Sequence, residues 1–228
     1  MVAGQYPAIA MPSVTVLQLD TDFPRIAGDV GCLATYVDEI EILRISGASV
    51  GQIVSANPAA IPIAPFEGAV AKARGDIIVT SCGFLSYWQK HLEARTDRPF
   101  ISSALTALPA LCERYAPRDI LTVTFDADSL NENHFGDHHT DVIGLPHDMH
   151  LRQVISQNLG TLNVELATKE IADFIAARCQ SHHKHILLEC TNLPPYKYAI
   201  MARTGLPITD ILSCIEAKCT GTIQPSFL

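Results

Sequence analysis

The chain has 228 residues, 48% of them hydrophobic and 18% charged, the composition of a globular protein of one or two coupled lobes, neither disordered nor membrane-embedded. Its net charge is −8 and its 16 basic residues are scattered, which disfavours a phosphate-backbone partner, and its apolar runs fall far short of the ~20 residues a spanning helix needs. Neither nucleic acid nor membrane is expected, and a small-molecule ligand is.

In chain order, short apolar and β-branched runs alternate with longer helical patterns, the signature of parallel βαβ construction. Residues 1–12 show no basic segment leading into an apolar one, so no secretion signal is read and a cytoplasmic location is expected by default. Strands are predicted near 14–19, 39–45, 76–80 and 99–102, with a helix at 65–74 opened by Pro65 and followed by Gly75 at the C′ position, and further helices at 84–93 and 104–115. From Pro117 the series restarts, with strands near 119–125, 141–145, 185–189 and 206–209 and helices near 129–135, 162–179, 195–203 and 210–219. Ala167, Ile171, Phe174, Ile175 and Arg178 follow the helical period in the longest of these.

The restart carries landmarks. Asp20-Thr21-Asp22 and Asp126-Ala127-Asp128 stand 106 residues apart, Cys82 and Cys190 stand 108 apart, and Pro99-Phe100-Ile101 matches Pro207-Ile208 in the same register. Three landmarks in order imply duplication. The fold class expected is α/β, with two pseudo-symmetric lobes, each a mainly parallel four-stranded sheet flanked by helices. The first lobe is assigned to 1–104 with 211–228 and the second to 105–210. Ligands bind beyond the carboxyl ends of parallel strands, so Ile77-Ile78-Val79-Thr80-Ser81-Cys82-Gly83 and Ile186-Leu187-Leu188-Glu189-Cys190-Thr191-Asn192 point two thiols into one cleft if the lobes face each other. Seven cysteines in a chain without a read secretion signal indicate reduced thiols.

These residues carry a resemblance. Thr80-Ser81-Cys82-Gly83-Phe84-Leu85 resembles the first cysteine loop of the aspartate/glutamate racemase superfamily, and Glu189-Cys190-Thr191-Asn192-Leu193-Pro194-Pro195-Tyr196 resembles its second. That superfamily of cofactor-independent enzymes includes hydantoin racemases, maleate isomerase and arylmalonate decarboxylase. Asp22-Phe23-Pro24-Arg25 with Gly28-Asp29-Val30-Gly31 is similar to the opening of a largely uncharacterised racemase-like branch, with Cys32 where that branch usually has Asn.

The resemblance implies a substrate held between lobes with Cys82 and Cys190 on opposite faces of its α-carbon, one removing the proton and the other returning it. No cofactor and no metal is implied, and a homodimer is. With no pyridoxal ring to spread a carbanion's charge, the protein must supply a tuned base and electrostatics. The turns after the strands are expected to favour the thiolate. The amides of Gly83 and Phe84 with the Ser81 hydroxyl would grip the substrate carboxylate on one side, and Thr191 and Asn192 on the other. Asp20 or Asp22 stands where the family places a carboxylate, with Asp126 or Thr124 as its counterpart. Each aspartate can equally cap the turn that follows it.

Arg25 can pair bidentately with a second substrate carboxylate, or bridge to Asp29 or Asp22. Asn192 replaces the His of glutamate racemases, which weakens the case for glutamate as substrate. The leading reading is a racemase or epimerase acting on an aspartate-, glutamate- or hydantoin-like substrate. The alternatives are a cis-trans isomerase or decarboxylase with one essential cysteine, or a non-catalytic amino-acid-binding protein.

Cys112, Cys179, Cys214 and Cys219 read as small core residues on helices. His134, His138, His139, His147 and His150, with Asp137, Asp141 and Asp148, follow no zinc spacing and read as a solvated loop. His182, His183 and His185 read as a polar lead-in to a strand.

Overall fold

A computed structural model describes residues 13–228 of the protein; the segment read for a leader, 1–12, lies outside the described residues. Two four-stranded sheets, all parallel, carry the architecture. The first contains β1 (Val14–Leu19), β2 (Ile40–Ile45), β3 (Ile77–Thr80) and β4 (Phe100–Ile101) in the order β2-β1-β3-β4. The second contains β5 (Ile120–Thr124), β6 (Asp141–Gly144), β7 (His185–Leu188) and β8 (Ile208–Thr209) in the order β6-β5-β7-β8. The two orders are one winding used twice, as the repeated landmarks imply.

The central strands are fully buried apolar runs, as parallel strands covered on both faces must be. Val14 pairs with Ile40 on one side and Ile77 on the other, and Leu121 with Asp141 and Ile186. Around the sheets lie α1 (Val50–Ile53), α2 (Ala64–Val70), α3 (Gln89–Glu93), α4 (Leu108–Cys112), α5 (Glu132–Phe135), α6 (His150–Ser156), α7 (Val164–Arg178), α8 (Lys197–Thr204) and α9 (Ile211–Lys218). The last of these returns to the first lobe, where Ile211, Leu212 and Ile215 pack with Val14, Val16, Ile77 and Val79. Among the described residues no helix is long and apolar enough to cross a membrane.

Several helices differ from the sequence expectation. Those predicted at 84–93, 104–115 and 195–203 begin as 3-10 turns at Gly83–Trp88, Ala104–Ala107 and Pro194–Tyr196. Gly75 is not a C′ residue, because α2 ends at Val70; a Cβ there would lie 2.4 Å from the Thr15 amide nitrogen, so its role is close approach to β1. α6 was not predicted; it starts at His150, the last residue of the stretch read as a solvated loop. Its Leu151, Val154 and Ile155 are buried at helical spacing, a pattern masked by the surrounding His and Asp.

Candidate active site

The carboxyl ends of β1, β3, β5 and β7, the two central strands of each sheet, converge on one cleft. Leu19, Thr21, Phe23 and Arg25 reach it from the turn after β1, and Ser81 to Phe84 from the turn after β3. Phe125 follows β5, and Glu189 to Asn192 follow β7. The cavity itself is small, about 30 Å³, within some 370 Å³ of empty space that includes open solvent, and Val50, Val54 and Ile155 complete an apolar wall. Both cysteines line it and both are buried, Cys82 at 8% exposure and Cys190 at 6%.

The two cysteine loops are stitched together. Thr191 donates its hydroxyl to the Ser81 carbonyl at 2.7 Å, and Asn192 donates its amide to Asp29 at 2.6 Å. Asp29 also accepts from the Gly31 amide at 2.7 Å and pairs with Arg25 at 3.0 Å. Of the two bridges open to Arg25 in the sequence, the structure forms the one to Asp29; its guanidinium also donates to Thr21 at 3.2 Å and lies 4.6 Å over the Phe23 ring. The Arg25 side chain is only 7% exposed, so the pair is a buried one facing the cleft.

The expectation that the turns favour thiolates is not met. Burial foremost, and next the Glu189 carboxylate, push the Cys82 thiol up to about 12. The same two causes raise Cys190 well above the ordinary thiol range, with a further contribution from Cys82. The amides of Phe84 and Asn192 oppose these shifts, but desolvation in a dry cleft outweighs a pair of hydrogen bonds. Each cysteine precedes a helical stretch that opens in 3-10 turns, Gly83–Trp88 running into α3 and Pro194–Tyr196 into α8, and the amides there do not offset burial.

Of the residues expected to hold substrate, Arg25, Ser81, Gly83, Phe84, Thr191 and Asn192 line the cavity. Asp22, Thr124 and Asp126 do not. The Asp22 side chain is 67% exposed and paired with Arg44 at 2.7 Å, which also clamps Asp20. Asp126 pairs with Arg152 at 3.2 Å and accepts from the Ser129 hydroxyl at 2.6 Å. Each Asp-x-Asp turn is thus held by an arginine of its own lobe, and Asp126, through Ser129, also bonds within the turn that follows it. The first of these turns also reaches the other lobe, since Asn158, in the left-handed region at φ 52°, accepts from the Asp22 amide at 2.7 Å. Thr124 is buried behind the cavity and donates to Glu189 at 2.7 Å.

Sequence reasoning named Asp29 as a partner for Arg25 and passed over Glu189 and the aromatic walls Phe23 and Phe125. The available signal for Glu189 was a lone acid inside the apolar run Ile186-Leu187-Leu188-Glu189-Cys190. His134 is buried and meets Phe84 edge-on at 5.2 Å, correcting its reading as solvated. His183 and His185 are likewise buried.

Among the described residues one cluster has metal-ligand spacing: Asp141 Oδ2 lies 3.1 Å from Nε2 of both His182 and His183. His183 Nδ1 accepts from the Gln180 amide at 3.0 Å, which puts the neutral ring's proton on Nε2, facing Asp141. The cluster is satisfied by hydrogen bonds, and Asp141 opens β6, at the sheet end opposite the cleft.

No family model matches the chain. It is similar over 90% of its length to allantoin racemase from Klebsiella pneumoniae (87% of that chain, 17% identity, TM-score 0.55). It is similar over 93% to arylmalonate decarboxylase (96% of that chain, 14% identity, TM-score 0.55). The chain has the fold of these two enzymes. Among curated proteins, its sequence is 26% identical over 238 residues to a dimethylsulfoniopropionate lyase of Durusdinium sp. clade D, spanning 97% of this chain and 78% of that protein. It is 28% identical over 239 residues to dimethylsulfoniopropionate lyase 7 of Emiliania huxleyi (strain CCMP1516), spanning 95% of this chain and 69% of that protein. A fold shared with a racemase and a decarboxylase therefore occurs here in a sequence whose curated relatives are lyases.

Proposed function

We propose that this protein is a lyase that removes a β-leaving group from a small carboxylate of the dimethylsulfoniopropionate kind, with a cleft thiolate as the base. The observation that carries this reading is the placement of Cys82 and Cys190 in one buried, largely apolar cavity between the lobes. The lyase relatives, aligned along nearly the whole chain, favour elimination over racemisation.

The chemistry is a carbon-acid reaction. The thiolate takes the proton from the carbon next to the carboxylate, and the electron pair left behind forms the new carbon–carbon double bond. The β-carbon–sulfur bond breaks, its electrons staying on sulfur, so a sulfonium leaves as a neutral thioether and the acid becomes acrylate. The thiol then returns its proton to water. The carboxylate gains negative charge in the transition state, and Arg25, Ser81 and the Gly83 and Thr191 turns lie where donors to it are needed. Excluding water strengthens those contacts.

Elimination requires a single base, whereas racemisation requires one on each face. The mirrored origin of the two thiols supports racemase or epimerase activity as a second reading. Proton NMR in D₂O separates the two. With dimethylsulfoniopropionate, vinyl signals and a thioether methyl signal are expected. Exchange of the α-hydrogen in intact amino acids or hydantoins, without vinyl signals from any substrate, would overturn the lyase reading in favour of the racemase.

A further inference from the structure

Glu189 is the charged group of the cleft with an oxygen left over. It is 0% exposed and lines the cavity between the two cysteine loops. Its Oε2 accepts from Thr124 at 2.7 Å, while its Oε1 is buried without a partner. The carboxylate is pressed onto the opposite loop, because a Cβ on Gly83 would lie 2.1 Å from Oε1. A buried carboxylate oxygen is costly unless a positive charge or an acidic proton meets it. The other charged group on the cavity wall, Arg25, has its charge matched by Asp29 at 3.0 Å, although its Nε is also buried without a partner. The remaining wall is built largely from Phe23, Phe84, Phe125, Val50, Val54 and Ile155. Such a wall offers methyl groups a dry surface and offers the N–H groups of a primary ammonium few acceptors.

We propose that Glu189 is the recognition carboxylate for an alkylated onium group, its Oε1 pairing with the substrate's positive centre. This rests on the lyase reading and assigns its specificity to one residue. Glu189 opposes ionisation of both cysteines, and a cation set against it cancels that opposition. The thiol's proton leaves to water as the onium group enters, so the base forms where a substrate is in place. Thiols that stay protonated otherwise are also protected from oxidation.

Two ligands of one shape test the assignment: 3-(trimethylammonio)propanoate, whose amine is a far poorer leaving group than a thioether, and 4,4-dimethylpentanoate, in which carbon replaces the charged nitrogen. Calorimetric titration of the wild type is expected to favour the ammonium compound by more than about tenfold, the size of one good charge-assisted contact. Glu189→Gln is expected to erase the preference while still binding the carbon compound, which also shows that its cleft is folded. A preference that survives in Glu189→Gln overturns the proposal. A wild type that binds only the carbon compound overturns it too, yet leaves a carboxylate-directed lyase standing; if neither compound binds, both fall.

A second reading needs no variant. Groups facing Glu189 are Thr124, Cys82 and Cys190, with Arg25 on the wall of the same cavity. Burial raises the Glu189 carboxyl to about 7, while both thiols sit far higher. Wild-type affinity for the ammonium compound is therefore expected to rise several-fold between about pH 6 and pH 8, with the carbon compound's affinity flat or falling. Parallel profiles would overturn the proposal.

Discussion

A carboxylate buried beside two thiols costs the folded state stability, and Glu189 allows that cost to be measured. Its carboxyl is raised from 4.5 to about 7, chiefly by burial. Between those values the native state keeps a proton that the unfolded chain has lost, so stability falls as pH rises through the window. Glu189→Gln removes this dependence. The variant is expected to gain about 3 kcal/mol on the wild type between pH 4 and pH 8, read as the change in their urea-unfolding difference. A pH-independent difference would mean the carboxyl titrates normally.

At this scale the sequence was partly legible. Strand-end context identified Cys82 and Cys190 as facing one cleft, because residues beyond the carboxyl ends of parallel strands have few other places to point. Asp22 and Asp126 were misplaced because an aspartate after a strand satisfies a turn as readily as it faces a ligand, and the arginines that claim them, Arg44 and Arg152, come from other elements. Glu189 was invisible for a related reason: its burial depends on Thr124 and Gly83, 65 residues away in one case and from the other lobe in the second.

Strands were read more closely than helices. The strand limits follow from apolar runs that must be covered on both faces, a demand each run states locally. Helices such as Gly83–Trp88 and Ala104–Ala107 take 3-10 geometry because they must close tightly over the cleft and the first sheet, which no local pattern declares. α9 is tied down at its first turn. Asp210 accepts from the Ser213 amide at 2.8 Å and pairs with Lys197 at 2.9 Å, with both side chains buried. Asp210→Ala removes the cap and strands a buried ammonium. It is expected to lower stability by about 3–5 kcal/mol, measured by chemical denaturation. A loss under 1 kcal/mol would show that Lys197 finds another partner at no cost.

The two lobes share one core. A single apolar cluster runs from Leu17, Ile78 and Phe84 in the first to Leu121, Ile186 and Leu188 in the second. Thr191–Ser81, Asn192–Asp29 and Asn158–Asp22 bonds cross between them at the cleft. The duplication legible in the sequence therefore does not mean two independent folding units. The single tryptophan, Trp88, lies in the first lobe. Its fluorescence and the far-UV circular dichroism of the whole chain are expected to give one unfolding midpoint in urea. Separate midpoints would show that the lobes part before they melt.

The two-thiol cleft is tested most directly by Cys82→Ser and Cys190→Ser, each assayed by NMR for conversion of dimethylsulfoniopropionate to acrylate, with circular dichroism as the check on folding. Serine is a far weaker acid than the thiol it replaces. Loss of at least about 100-fold in kcat/KM is expected for the cysteine that serves as base, about 3 kcal/mol of transition-state stabilisation. Near-normal rates in both folded variants would contradict the assignment of this cavity as the site of the reaction.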